Sequence, residues 1–157
     1  MDILGATGPA RDPDSRVAVA RTFGEIQLLD ARLVCGRDHL LAAYEHAERA
    51  MREGTNVAKT LAVEFVLYAA GERQISDAIR KVGVRDDTEE FALVTFGGGD
   101  PDEALRALDL SRDDRVLEPS RQKLQAFGIT EAELRSVPPA QTSDLVLERV
   151  ALVDLLK

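Results

Sequence analysis

The sequence predicts a mixed α/β (α+β) fold, with five or six helices around a small sheet. Three observations carry this expectation. Apolar residues recur at three- and four-residue spacing in several separate segments. A short apolar run, Phe91–Phe96, is released by Gly97-Gly98-Gly99 and reads as a strand. A chain of 157 residues, 45% of them hydrophobic, can fill one sizeable core but not a second of comparable size. The expected organisation is a loose N-terminus over 1–16 followed by a single compact domain over 17–157.

Residues 1–16 contain Gly5, Gly8, Pro9, Pro13 and several aspartates, a composition rich in turn formers. Val17–Arg21 alternates weakly, and Phe23-Gly24-Glu25 can turn it into Ile26–Ala31, a better strand, so a hairpin is expected. Arg37–Glu53 is a helix, with Leu40, Ala43, Tyr44, Ala47, Ala50 and Met51 along one stripe. Gly54 suits the left-handed position just past its end. Asn56 is placed to cap a helix over Val57–Ala70 that is apolar almost all round and therefore buried on several sides. Its polar members Lys59, Thr60 and Glu64 need an explanation. Gly71 ends it, and Gln74–Val82 forms a shorter helix closed by Gly83. Asp100 caps the next helix, with Pro101 at its first position and Glu103 three after the cap, running to about Leu108. Ser120 caps Arg121–Phe127, which Gly128 ends. Thr130 and Glu133 form a capping box for a short helix stopped by Pro138-Pro139. The last element, Ser143–Lys157, starts as a helix near Asp144.

The net charge of −8 argues against broad, nonspecific nucleic-acid binding but leaves room for a local basic site. Cys35 is the only cysteine, so no intrachain disulfide forms, which fits a reducing compartment. No signal peptide is evident. The most apolar stretch, Thr60–Ala70, is interrupted by Glu64 and far shorter than the roughly 20 residues a membrane helix needs. The expectation is a soluble, cytoplasmic protein with no membrane partner.

A metal site would draw on Cys35, His39 and His46, but no paired-ligand motif completes the set, and none is expected. The plain alternative is two helix-surface histidines and a buried cysteine. Gly97-Gly98-Gly99 stands between a strand and a helix, where a phosphate loop would. Asp100 occupies the cap, however, and repels an anion, and no lysine follows. No nucleophile elbow is present. No catalytic residue is assigned and no cofactor is expected.

Two segments have the makings of binding surfaces. Residues 71–85 carry four positive side chains, Arg73, Arg80, Lys81 and Arg85, against two negative, Glu72 and Asp77: a net +2 inside an acidic chain. An arginine fork bridges a phosphate, Gln74 can read a base edge or ribose, and Lys59 can add to the patch. The alternative is ordinary surface pairing, because Asp77 stands four residues from both Arg73 and Lys81. The C-terminal element carries Leu145, Val146, Leu147, Val150, Leu152, Val153, Leu155 and Leu156, an arc wider than one-sided packing requires. Either a partner or its own neighbours must cover it.

Specific runs in these segments resemble a known family. They are Arg37-Asp38-His39-Leu40-Leu41, Asn56-Val57-Ala58-Lys59-Thr60-Leu61, the long string from Glu64 through Tyr68 and Gly71-Glu72-Arg73-Gln74 to Ile75, Ala78-Ile79, Gly83-Val84, and Val116-Leu117-Glu118-Pro119. From about Ile26 to the C-terminus the chain resembles the small accessory subunit of the KEOPS complex, the p53-related-protein-kinase-binding protein family. The resemblance implies a compact mixed α/β subunit without a catalytic centre. The complex makes N6-threonylcarbamoyladenosine on transfer RNA, with the transferase subunit doing the chemistry. The accessory subunit docks on and stimulates a small atypical kinase/ATPase subunit. In archaeal forms it holds the single-stranded 3′ CCA end of the tRNA, and it meets the transferase only indirectly. Carried onto this chain, Lys59, Arg73, Gln74, Ile75, Arg80 and Lys81 would lie on the RNA side, and Val150, Leu152, Val153 and Leu156 on the kinase side. Two rival readings stand beside it. One is a purely protein-binding regulatory subunit with no RNA contact. The other is a small phosphate-ligand enzyme built on the glycine loop.

Overall fold

The computed structural model describes all 157 residues, Met1–Lys157. Its strands are β1 (Asp2–Thr7), β2 (Ile26–Asp30), β3 (Glu90–Thr95) and β4 (Ser111–Arg112). Its helices are α1 (Pro13–Arg21), α2 (Arg37–Glu53), α3 (Leu61–Ala70), α4 (Ile75–Val82), α5 (Pro101–Ala107), α6 (Arg121–Phe127), α7 (Glu131–Arg135) and α8 (Asp144–Leu156). The mixed α/β class is as expected, with eight α-helices where the sequence predicts five or six. The chain forms two compact units, Met1–Arg32 with Gly83–Leu117, and Leu33–Val82 with Glu118–Lys157. No helix is long and apolar enough to cross a membrane.

The first unit holds the four-stranded sheet, in the order β2-β3-β1-β4. β3 pairs antiparallel with β1, from Asp2↔Thr95 to Thr7↔Glu90, and with β2, from Ile26↔Thr95 to Asp30↔Phe91. Leu4, Ala6, Ile26, Leu28, Phe91 and Leu93 alternate onto one face, where they join Ala20 of α1 and Ala104 and Leu105 of α5 in a core. Two expectations are corrected here. Residues 2–7 are not loose but form an inner strand. Gly5, read as a turn former, is needed for close packing: a Cβ there would lie 2.5 Å from the Asp113 carbonyl oxygen and 2.8 Å from Val116 Cγ2. Val17–Arg21 is not a strand but the end of α1. Asp12 caps that helix by accepting from the Ser15 amide, and Pro13 follows at the first turn. Its inward positions, Arg16 and Ala20, are four apart, the helical repeat that the alternation of small residues obscured.

The second unit is helical. α2 ends at Gly54 in the left-handed conformation. α3 begins at Leu61, four residues later than expected. Thr60 caps it by accepting from the Val63 amide, while the Asn56 side chain donates to the Ala58 carbonyl instead of capping. α6 and α7 carry the caps the sequence announces, including the reciprocal Thr130–Glu133 box. Cys35, Leu124, Phe127, Ile129, Leu134, Leu145 and Val146 form a second core.

His39 corrects the expectation of a surface histidine. It shares the inward stripe of α2 with Ala43, Ala47 and Ala50. Its Nε2–H donates to the Ala69 carbonyl at 2.7 Å, and Nδ1 accepts from the Cys35 amide at 3.1 Å. The ring meets Phe127 edge-on. Burial drives its pKa down to about 4, the Ala69 bond opposing only in part. The unfolded chain therefore binds the extra proton. The stabilisation is complete above about pH 6.5, where an unfolded histidine is neutral, and fades as pH falls toward 4.

Two outcomes are expected. In urea denaturation between pH 7 and 4.5, His39→Gln flattens the acid loss of stability by on the order of 2–3 kcal/mol relative to wild type; parallel pH curves for the two proteins contradict this account. Gly5→Ala costs roughly 2–3 kcal/mol in the same assay at pH 7, and a loss below about 0.5 kcal/mol contradicts the close-packing role.

Candidate RNA-binding and docking surfaces

The buried helix α3 organises both candidate surfaces. Glu64 is the one carboxylate in its apolar run, and it is fully buried. One oxygen, Oε2, accepts from the amides of Val57 and Ala58 at 3.0 and 2.8 Å. The other, Oε1, accepts from Lys157 Nζ at 2.5 Å. Both oxygens are thereby matched by donors, which is how an interior carboxylate is tolerated. The loop over 54–60 thus folds back onto α3 instead of extending it, and this is why the helix starts late. Lys157 Nζ also stands 4.6 Å above the Tyr68 ring.

One helical turn further along α3, the Tyr68 hydroxyl donates to Asp154 of α8. Asp154 also accepts from Arg49 at 3.0 Å and lies 2.8 Å from His46 Nδ1, both on α2. Burial and the neighbouring Asp154 push the Tyr68 hydroxyl well above its ordinary range. Burial would raise Asp154 as well, but hydrogen bonds from Tyr68, His46 and Arg49 outweigh it and hold the carboxyl low. His46 is therefore a bonded rim residue stacked on Tyr68 at 5.5 Å.

The basic segment leaves α3 at Gly71, whose φ of +67 and whose neighbours, with Arg149 Cβ 3.4 Å from a built Cβ, favour glycine. Arg73 and Gln74 are exposed and Ile75 is half-buried. Arg73 makes no ion pair within the chain. Arg80 is exposed and pairs with Asp77 at 3.1 Å. Lys81 turns inward: its Nζ lies 3.6 Å from Glu72 and 4.0 Å from the Phe127 ring centre. Burial lowers its pKa, and Glu72 partly restores it. Lys81 accordingly falls outside the outward-facing set. Lys59 is exposed on the loop before α3, while Arg73 follows its end. The two stand before and after the ten-residue helix α3. Ile79, 54% exposed and four residues from Ile75, is an addition. Its position off the Ala78–Val82 stripe was a readable signal.

On α8, Val150 and Val153 are fully buried in the chain's own core. Of the four residues expected on the docking side, these two present no surface of their own. Leu152 and Leu156 do face outward, at 43% and 51% exposure, and Leu155, which that set lacked, is the most open at 80%. The periodicity of an apolar helix gives its arcs but not which arc is already covered. Arg149 of the same helix pairs with Glu133 of α7 at 2.7 Å and fixes its base.

The chemical candidates have structural explanations. Burial pushes the Cys35 thiol up to about 11, so it stays protonated near neutrality. No three His, Cys, Asp or Glu side chains are grouped to hold a metal ion. Gly99 makes room for the Phe23 carbonyl, whose oxygen would lie 2.0 Å from an added Cβ, and Asp100 accepts from the Asp102 amide as the cap of α5.

Comparison with known proteins agrees with the resemblance. A family model described as kinase binding protein CGI-121 matches residues 12–154. The regulatory protein Cgi121 of Methanocaldococcus jannaschii is 28% identical over 142 residues, 85% of this chain and 86% of that protein. An EKC/KEOPS complex subunit CGI121 of Yarrowia lipolytica is 29% identical over 76 residues, 48% of this chain and 45% of its own. A KEOPS complex subunit Cgi121 of Pyrococcus abyssi is 40% identical over 60 residues, 38% of this chain and 34% of its own. With a family model covering nearly its whole length, the chain belongs to the CGI-121 kinase-binding protein family.

Proposed function

We propose that this chain is a noncatalytic KEOPS subunit that binds the 3′ CCA end of tRNA and docks on, and stimulates, the small atypical kinase/ATPase subunit. Family membership supports the assembly. The group of exposed Arg73, Gln74 and Ile79 with half-buried Ile75 carries the RNA reading: one unpaired guanidinium for a phosphate, one amide for a base edge, and two apolar side chains on which unstacked bases can lie. Lys59, exposed on the loop before α3, suits a further backbone phosphate of the strand. A patch of this size binds weakly alone, and assembly with the kinase and, through it, the transferase supplies avidity. The kinase reading rests on Leu152, Leu155 and Leu156, which together leave an apolar ridge on α8.

The second reading, a purely protein-binding subunit, draws on the net charge of −8 and on Lys81 being engaged with Glu72. Arg73→Glu separates the two. The RNA reading expects it to weaken binding to intact tRNA by about tenfold or more at moderate salt, with little effect on tRNA lacking CCA. Equal losses on both RNAs, or none on either, favour the protein-only reading. Leu155→Asp is expected to lower affinity for the kinase subunit by at least about tenfold in calorimetry, as for a central apolar anchor, with thermal stability kept because the side chain is exposed. Unchanged affinity removes α8 from the docking surface.

A further inference from the structure

Glu64 ties the candidate RNA loop to the candidate docking helix through a single buried side chain. Resting on the function proposed above, we propose that the Glu64–Lys157 pair couples the two surfaces, so that kinase docking on α8 tightens RNA binding at the 54–60 loop, and the reverse. Glu64 and Lys157 are then positioning residues and touch neither partner.

The geometry gives the mechanism. Val57 and Lys59 are exposed on the loop, and the amides of Val57 and Ala58 are fastened by Glu64 Oε2. Oε1 of the same carboxylate holds Lys157, whose side chain is only 5% exposed although it follows the last turn of α8. Leu155 and Leu156, the most open apolar residues of that helix, immediately precede it. A helix end of this kind frays when nothing holds it. Withdrawal of Lys157 leaves Glu64 as an uncompensated interior charge, which is costly. The carboxylate then turns toward water and releases both loop amides. A partner gripping Leu155 and Leu156 suppresses fraying, keeps Lys157 seated and keeps the loop in its RNA-competent shape. RNA holding the loop keeps Glu64 in place for Lys157 by the same linkage, which thermodynamics makes reciprocal. Asp154, bonded to Tyr68 one turn earlier, keeps the helix itself in place, so the two-state element is confined to its last residues.

The test measures affinity for a fluorescent CCA-ended acceptor-stem minihelix by anisotropy, using the full chain with and without saturating purified kinase subunit, and with the kinase alone as control. The wild type is expected to bind at least about fivefold tighter with kinase present, within the usual range for coupled sites. In Lys157→Met the factor falls to near one while each separate affinity stays within about threefold. Lys157→Gln, a second single variant for the case that the first is unstable, is expected to reduce the factor at least twofold. The double variant E64Q/K157Q is expected to recover most of it. The glutamine oxygen introduced on α3 can still accept from both loop amides, and its amide nitrogen can donate to the glutamine oxygen introduced at the end of α8. A wild-type factor of one, or a full factor retained in both single variants, overturns the coupling while leaving the proposed function standing. If the wild type binds neither minihelix nor kinase, the proposed function itself fails and the coupling with it.

Discussion

A carboxylate in the middle of an apolar helix is the constraint from which the helical unit takes its shape. Glu64 has no access to water, so its charge must be matched from within the chain. Two backbone amides and one lysine do this, and each recruits a different piece of sequence: the 54–60 loop before α3 and the end of α8. An apolar residue at this position would leave Val57 and Ala58 with unpaired amides and Lys157 with a buried, unmatched ammonium. The two candidate surface segments are thus held by bonds made in the interior.

The two candidate surfaces share a design. Each consists of outward side chains on a short element whose other face is fully committed. On α4, Ala78 and Val82 are buried, Ile75 is half-buried, and Ile79 and Arg80 look outward. On α8, Val150 and Val153 are buried and Leu152, Leu155 and Leu156 look outward. Rigid backing of this kind keeps the ordering cost of binding small, since little of the exposed set has to be arranged on contact. The net charge of −8 disfavours broad attraction of nucleic acid to the rest of the surface.

Elements whose boundaries are written in local chemistry were legible in the sequence. α2 ends at Gly54, α6 lies between Ser120 and Gly128, and α7 opens with its Thr130–Glu133 box, because a cap is satisfied within a few residues of itself. Elements fixed by distant partners were not. β1 pairs with β3 some ninety positions along the chain, and its Gly5 looks like a turn former until Asp113 and Val116 are seen to crowd it. The start of α3 was not legible because Asn56 is a good cap by type, whereas the deciding bonds come from Glu64 reaching backward. At the surfaces, the residue types were legible and their orientation was not. Lys81 has the charge of an RNA contact but lies over Phe127, and Val150 and Val153 have the character of a docking face but fill the core. His39 likewise looks like a surface residue until the Ala69 carbonyl and the Cys35 amide claim both its nitrogens.

The central claim is that Glu64 fastens the loop that carries Lys59. Residue-resolved hydrogen exchange on the protein saturated with the kinase subunit, where the loop is held seated, reads this directly, because the two fastened amides lie outside any helix. Val57 and Ala58 amides should exchange at least about tenfold more slowly than the Lys59 amide, and Glu64→Ala should abolish that protection while the amides of Phe65 to Tyr68 stay protected. Val57 and Ala58 exchanging as fast as Lys59 in the wild type, or keeping their protection in Glu64→Ala, would contradict the account.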